Sequence, residues 1–474
     1  MSSSLNKSLQ NISKKLEQQF KTTSDFEKRT ILKGKISIYC LNTIVDTDQI
    51  QNYIIEPLQQ TAKKTNEGNL SIEDIKTIIC SLSLKETDSI EQVKDALVKG
   101  ETFLFIEGAT SGLLISTTKW IERGLEETLG ERSVKGPTVG LTENLTTNIN
   151  ILRRIIQSPQ LIIDTKAYGI HLKTDISIIY INNLVNKHIL QEVKKRIDTI
   201  NVDYILHSKI VEETLEGKSK TFTNLIMTTQ RVDTTTSALL EGKVIVLVNG
   251  IPFSIITPSL FVDFFQSPDD FHVKAGRFVN RPIRYLGYIA SILIPGIYVG
   301  LEKFHSDNFS EKTQKKVFNN GELLPTFWEM AILLILFRIL IDIGSRAPKG
   351  TIIIITLIAT IVIGEMSVTA NFVHPAGLIA AGLSVYLSTL VIYRGEVGIN
   401  VLRSVFFITC YYFDLPSIMI VSTLVILYFT QLKSVGVPYL SPLIPFRYWE
   451  FQDIFIRGNL RKLHNKSHKF PNIK

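Results

Sequence analysis

Ser237–Gly300, SALLEGKVIVLVNGIPFSIITPSLFVDFFQSPDDFHVKAGRFVNRPIRYLGYIASILIPGIYVG, decides how this chain is read. The stretch begins as water-soluble protein. Val244–Val248 and Phe253–Thr257 are β-rich runs joined across Asn249-Gly250, a hairpin signal because both central residues of a tight turn favour positive φ. It ends as lipid-facing protein: from Tyr285 to Leu301 there is no charged residue, and the run is rich in Ile, Leu, Tyr and Gly. Between the two stand FFQSPDDF and then Lys274, Arg277, Arg281 and Arg284, with no acid among these four. A basic cluster at the mouth of an apolar run holds that end on the cytoplasmic side. The four are therefore expected as a juxtamembrane anchor, and residues 266–284 as the connector between a soluble and a membrane half.

Outward from this joint, a chain of 474 residues exceeds one core, and two or three domains are expected. The net charge of +8 gathers near the expected membrane and in the tail, which suits anionic lipid headgroups rather than nucleic acid. The cysteines, Cys40, Cys80 and Cys410, form no CxxC and no disulfide spacing, so no metal site is expected. MSSSLNKSLQNISKKLEQQF has no apolar signal core, and the soluble half is expected in the cytoplasm.

The soluble half reads as a duplication. After a polar lead-in, 1–30, Lys35-Ile-Ser-Ile-Tyr-Cys-Leu-Asn matches Asp175-Ile-Ser-Ile-Ile-Tyr-Ile-Asn, each a strand followed by a helix. Further on, ALVKGETFLFIEG from Ala96 matches ALLEGKVIVLVNG from Ala238. The offsets are about 140 and 142, and two registers in agreement predict two related α/β subdomains, 31–135 and 148–265, around a linker at 136–147. Two such lobes offer either a ligand cleft or only a larger scaffold. The helix from Asn148 is expected to end before Ser158-Pro159.

No chemistry of bond-making is visible. Gly217-Lys218-Ser219 lacks the glycine a phosphate loop needs five residues earlier, where Glu212 stands. HExxH, GxSxG and a Cys–His pair are absent from the sequence, so neither an enzyme nor a cofactor is expected.

The membrane half, 285–431, shows apolar runs at 285–301, 327–343, 351–370 and 378–393, then a broken run at 404–431 and a basic tail at 432–474. Loop charges fit the positive-inside rule with the first end inside. Asp414-Leu-Pro416 splits the last run into pieces shorter than the roughly 20 residues a span needs, leaving four spans plus a broken helix or five spans. The fold class is thus two duplicated α/β subdomains followed by an α-helical multispan membrane domain. Charges in apolar runs are costly and mark candidate ion-pathway residues: Glu365, Arg338, Asp342 and Asp414. Arg338 and Asp342 stand four apart and can pair. His374 reads as a solvated turn residue.

The joint also carries a likeness. LLEGKVIVLVNGIPFSIITP, FFQSPDD and RPIRYL, with NINILRRIIQSPQL at Asn148–Leu161, IPGIYVGLEKFH at Ile294–His305 and LKSVGVPYLSPLIP at Leu432–Pro445, resemble the GerA family, the A subunits of bacterial spore germinant receptors. The resemblance spans roughly 140 to 446. It implies a multispan protein of the inner spore membrane with its soluble half in the spore core. It also implies a transporter-like B subunit and a lipoprotein C subunit as partners, homo-oligomerisation, nutrient sensing and a contribution to an ion pathway. Phe337–Pro348 departs from the family's usual Glu-rich second span, which bears on ion selectivity. The competing reading is a regulated secondary transporter or channel that acts without receptor partners.

Overall fold

The computed structural model describes residues 9–64, 71–79, 83–106, 109, 111–120, 139–217, 221–267, 270, 278–318, 321–391, 396–447 and 454–455. They fall into two compact units, one of residues 1–218, 226–258 and 463–474, the other of 219–225 and 259–462. The division comes at Pro258–Ser259, earlier than the expected connector at 266, and it gives residues 219–225 to the second unit.

The first unit holds two five-stranded sheets. The first contains β1 (Phe26–Ile31), β2 (Ile36–Leu41), β3 (Leu84–Thr87), β4 (Glu101–Ile106) and β5 (Gly112–Ser116) in the order β1-β2-β4-β5-β3. The second contains β6 (Leu161–Tyr168), β7 (Thr174–Ile181), β8 (Met227–Thr229), β9 (Val244–Val248) and β10 (Ser254–Thr257) in the order β6-β7-β9-β10-β8. Strand for strand the two orders are the same, and every pairing is antiparallel. Equivalent helices, α1 (Ile90–Val98) and α3 (Val232–Leu240), precede β4 and β9.

One glycine pair explains why the repeat is legible in the sequence. Gly100 and Gly242 end these helices with φ of +87° each. A Cβ on Gly100 would come within 2.9 Å of the Ile44 carbonyl oxygen, and one on Gly242 within 2.7 Å of the Leu184 carbonyl oxygen. The same left-handed turn presses on the same place in both lobes, and only glycine fits it.

Three boundaries differ from expectation. The lead-in is partly core, since β1 starts at Phe26 and the helix Leu9–Phe20 buries Leu16 and Phe20 in the first lobe's core. The helix α2 runs Leu145–Ile155, because Asn144 caps it by accepting from the Thr147 N–H at 3.0 Å. The hairpin β9–β10 forms, with Leu247 opposite Ser254, but Asn249 is absent from the positive-φ residues. Its N–H donates to the Asp175 carbonyl (2.9 Å) and its side-chain oxygen accepts from the Leu145 N–H (3.2 Å). Tertiary bonds to the neighbouring strand and to the start of α2 therefore replace the tight two-residue turn.

The helix α2 also ties the lobes together. Arg153, fully buried, donates to both oxygens of Asp25 (3.0 and 2.8 Å), to Thr23 Oγ1 (3.0 Å) and to the Leu161 carbonyl (2.9 Å). Asn150 donates to the carbonyls of Thr43 (2.8 Å) and Lys119 (3.0 Å). A buried charge of this kind holds only because its partners are complete.

The second unit is helical, with α4 (Asn280–His305), α5 (Thr326–Arg346), α6 (Lys349–Ala359), α7 (Pro375–Ser388), α8 (Glu396–Phe413) and α9 (Ser417–Gln431). A π-helical stretch, Thr360–Met366, and a last turn, Ser367–Thr369, continue α6. Among the described residues two helices are long and apolar enough to cross a membrane, Asn280–Asn308 and Gly350–Thr369. Small residues let α4 approach its neighbours: a Cβ on Gly296 would meet the Phe406 carbonyl at 3.0 Å, and one on Gly287 would meet Leu390 at 2.9 Å.

The broken run is a helical hairpin. Arg403 reaches the Ser291 carbonyl (3.0 Å), Lys303 the Tyr411 carbonyl (2.9 Å) and His305 the Asp414 carboxylate (2.9 Å), so α8 runs parallel to α4. Phe429 near the end of α9 lies 5.9 Å from Phe261, which lies 5.7 Å from Tyr288 near the start of α4. Hence α9 returns along the unit. At 18 and 15 residues the two helices are about 27 and 22 Å long at roughly 1.5 Å per residue. The apolar run in the sequence begins only at 404, whereas α8 begins at Glu396 and includes the charged Arg403.

Candidate functional site

The candidate residues divide by environment. Glu365 sits in the π-helical turn Thr360–Met366 and is exposed. No residue in the apolar window of this helix is buried. Its open face carries Ile353, Ile354, Leu357, Ile358, Ile361, Val362 and Met366, all exposed, and Glu365 is the acid on that face. A π turn displaces side chains relative to the preceding α turns and recurs at functional positions.

Arg338 and Asp342 lie on α5, both half-buried. Asp342 accepts from Arg346 at 3.1 Å, an i,i+4 pair nearer the helix end. Asp414 stands at the α8–α9 turn with φ +62°. It accepts from the Leu415 N–H (2.6 Å) and faces His305 Nε2 at 2.9 Å. Its geometry is that of a turn-former at one end of the unit, away from Glu365's helix in sequence and in partners.

The basic anchor is half internal. Arg281 is fully buried, and its Nε lies 2.9 Å from Asp270 Oδ2. Arg284 Nη1 reaches the same oxygen at 2.9 Å and the Phe265 carbonyl at 3.0 Å. The acid is Asp270 of FFQSPDD, upstream of the four basic residues. Lys274 and Arg277 lie outside the described residues.

Two buried groups escaped the sequence reading. Arg403 is 4 % exposed and donates to the Ser291, Ser384 (3.1 Å) and Asn400 (3.2 Å) oxygens, joining α4, α7 and α8. Glu329, fully buried in the first turn of α5, accepts from the His374 N–H at 3.0 Å, while its Oε2 finds no hydrogen-bond partner among the described residues. His374 is no solvated turn residue: it is 4 % exposed, caps α7 by accepting from the Ala376 N–H (3.2 Å), and its Nε2 lies 3.8 Å from Glu322. His374-Pro375 was the available signal, as a polar cap followed by proline at a helix start. Among the described residues no group of His, Cys, Asp and Glu could hold a metal ion.

Known proteins resemble this chain along most of its length. Residues 14–469 match the model of the Bacillus/Clostridium GerA spore germination protein. The chain is 28 % identical to spore germination protein KA of Bacillus subtilis (strain 168), covering 89 % of this chain and 78 % of that one. It is 26 % identical to spore germination protein GerLA of Bacillus cereus, over 89 % and 87 %. A crystal structure of the N-terminal domain of the A subunit of the Bacillus megaterium spore germinant receptor GerK3 is similar at 28 % identity, covering 55 % of this chain and 98 % of that one, with a TM-score of 0.42. With the family model matched across nearly its whole length, the chain belongs to the GerA family of spore germination proteins.

Proposed function

We propose that this chain is the A subunit of a spore germinant receptor, a multispan protein of the inner spore membrane that takes part in nutrient sensing and contributes an ion pathway. In this reading its α/β unit faces the spore core. A transporter-like B subunit and a lipoprotein C subunit are its partners, and copies of the chain assemble with one another. The proposal needs no catalysis.

The observation that supports the ion pathway is Glu365. A carboxylate on an uncovered apolar helix is costly in hydrocarbon and persists only where it is protonated or meets water. Copies that bring the open face of this helix around an aqueous path would give Glu365 that water. The hairpin of α8 and α9 supports six passes, an even number that returns the chain after Gln431 to the side on which α4 begins.

The test is ion flux from liposomes that hold the purified full-length chain. Conduction without any substrate gradient, reduced or changed in selectivity by Glu365→Gln, is the expected result. Flux that requires a co-transported substrate would favour a stand-alone transporter.

A further inference from the structure

Leu432–Pro445, the stretch that follows α9, has no part in the ion pathway proposed for Glu365. It opens on a small turn, Lys433–Ser434 paired with Val437–Pro438, with Val435 and Gly436 at φ +45° and +84°. Because α9 ends at Gln431, this turn moves with the end of that helix.

The chain leaves the α/β unit after Lys218, returns at Ile226 and leaves again after Pro258. The last two crossings are made by paired strands. β8 begins at Met227 and β10 ends at Thr257, with Ile256 opposite Met227. Continued by two residues, that register would set Leu225 against Pro258, which has no N–H to donate. Ser434 supplies the missing donor. Buried at 1 % exposure, its hydroxyl donates to the Leu225 carbonyl at 2.6 Å and accepts from the Ser259 N–H at 3.0 Å. One side chain thus holds both crossings where they enter the helical unit.

Aromatic rings hold the same two segments. Phe222 stacks on Tyr428 of α9 with centroids 4.7 Å apart. Phe429 of α9 lies 6.2 Å from Phe222, 5.9 Å from Phe261 and 6.0 Å from Tyr439. Thr223 Oγ1 lies 3.3 Å from Tyr439 Oη, and the Phe261 N–H donates to the Tyr439 carbonyl at 3.0 Å. All these residues belong to the helical unit, and only the chain itself crosses. On α9 the buried residues are Ser417, Val421 and Phe429, so its far end is held by this cluster. On the other side β8 is a three-residue edge strand, the kind of element that opens at low cost.

We propose that Ser434 and Phe222 form a clasp that couples the second α/β lobe to α9, so that a shift of β8 and β10 is passed to the α8–α9 hairpin. Both are positioning residues. Use of the clasp as a signal route rests on the receptor reading; the coupling itself does not.

Amide hydrogen exchange of the purified full-length chain tests the coupling with no nutrient and no ion flux. Its failure therefore leaves the receptor reading standing, and a failed flux assay leaves the clasp standing. Gly242→Ala strains the second lobe just before β9, and Ile255→Val in β10 is a milder second strain. In the parent chain either strain should speed exchange in the last turn of α9, at least about fivefold for Gly242→Ala. In Ser434→Ala and in Phe222→Leu the same strain should change that exchange by less than about twofold, as for independent sites. Ser434→Thr keeps the hydroxyl and should restore the response. Parent exchange that neither strain alters overturns the clasp, as does an undiminished response in Ser434→Ala and Phe222→Leu. A Ser434→Thr chain that responds no better than Ser434→Ala overturns the role of the hydroxyl. If Ser434→Ala does not fold, Phe222→Leu decides alone.

Discussion

Arg153 in the α/β unit and Arg403 in the helical unit are both buried, yet they are satisfied in different ways. Arg153 meets a carboxylate from a segment far away in sequence, with both Asp25 oxygens engaged. Arg403 meets the carbonyls of Ser291 and Ser384 on the neighbouring helices and the side-chain oxygen of Asn400. The first arrangement balances a charge against a charge. The second spreads one charge over backbone dipoles that already belong to helices. The comparison teaches that removing the arginine has different consequences in the two units.

Arg153→Met leaves Asp25 buried without its counter-charge, and this should cost about 3–5 kcal/mol. Arg403→Met removes charge-assisted bonds to the Ser291, Ser384 and Asn400 oxygens, and it should cost about 1.5–3 kcal/mol. Thermal unfolding of the purified full-length chain measures both, and equal losses would break the distinction. Asp25→Asn combined with Arg153→Met should recover part of the first loss.

The two lobes permit a sharper comparison at smaller amplitude. Gly100→Ala and Gly242→Ala each force a side chain into a left-handed backbone against a carbonyl, at about 1–3 kcal/mol apiece. Similar penalties support a shared turn inherited by duplication. A penalty in one lobe alone would set the lobes apart.

The smallest effect concerns Cys40 of β2. Burial first, and then the charges of Glu27 and Asp25, push its thiol up to about 12. At pH 8 about one thiol in ten thousand is then ionised, and the thiolate is the reactive form. Reactivity with a thiol reagent should stay negligible through pH 9 and rise at higher pH or on unfolding. Rapid native labelling of Cys40 at pH 8 would contradict the burial.

The fold of the α/β unit was largely legible in the sequence, because duplication wrote the same glycine turn and strand pattern twice. The hairpin was legible as well, though not its turn, since the bonds that hold Asn249 come from Asp175 and Leu145. The helical unit was legible only where charges face water. Counting charges left Arg403 outside the apolar run that starts at 404, treated His374 as solvated and found no acid among the basic cluster of Arg281 and Arg284. Each of these is satisfied from another segment, which a local window does not contain. Glu365 stands out in the sequence because it is a lone acid in a long apolar run, and the structure leaves it exposed on that helix.

Glu365 is also where the account is most exposed. The direct measurement is ion release from spores whose only copy of this chain carries Glu365→Gln, with chain level and membrane insertion matched to the parent. The account predicts normal insertion with slowed release or altered ion selectivity. Release at the parental rate with the parental selectivity would contradict it and return Glu365 to a packing role.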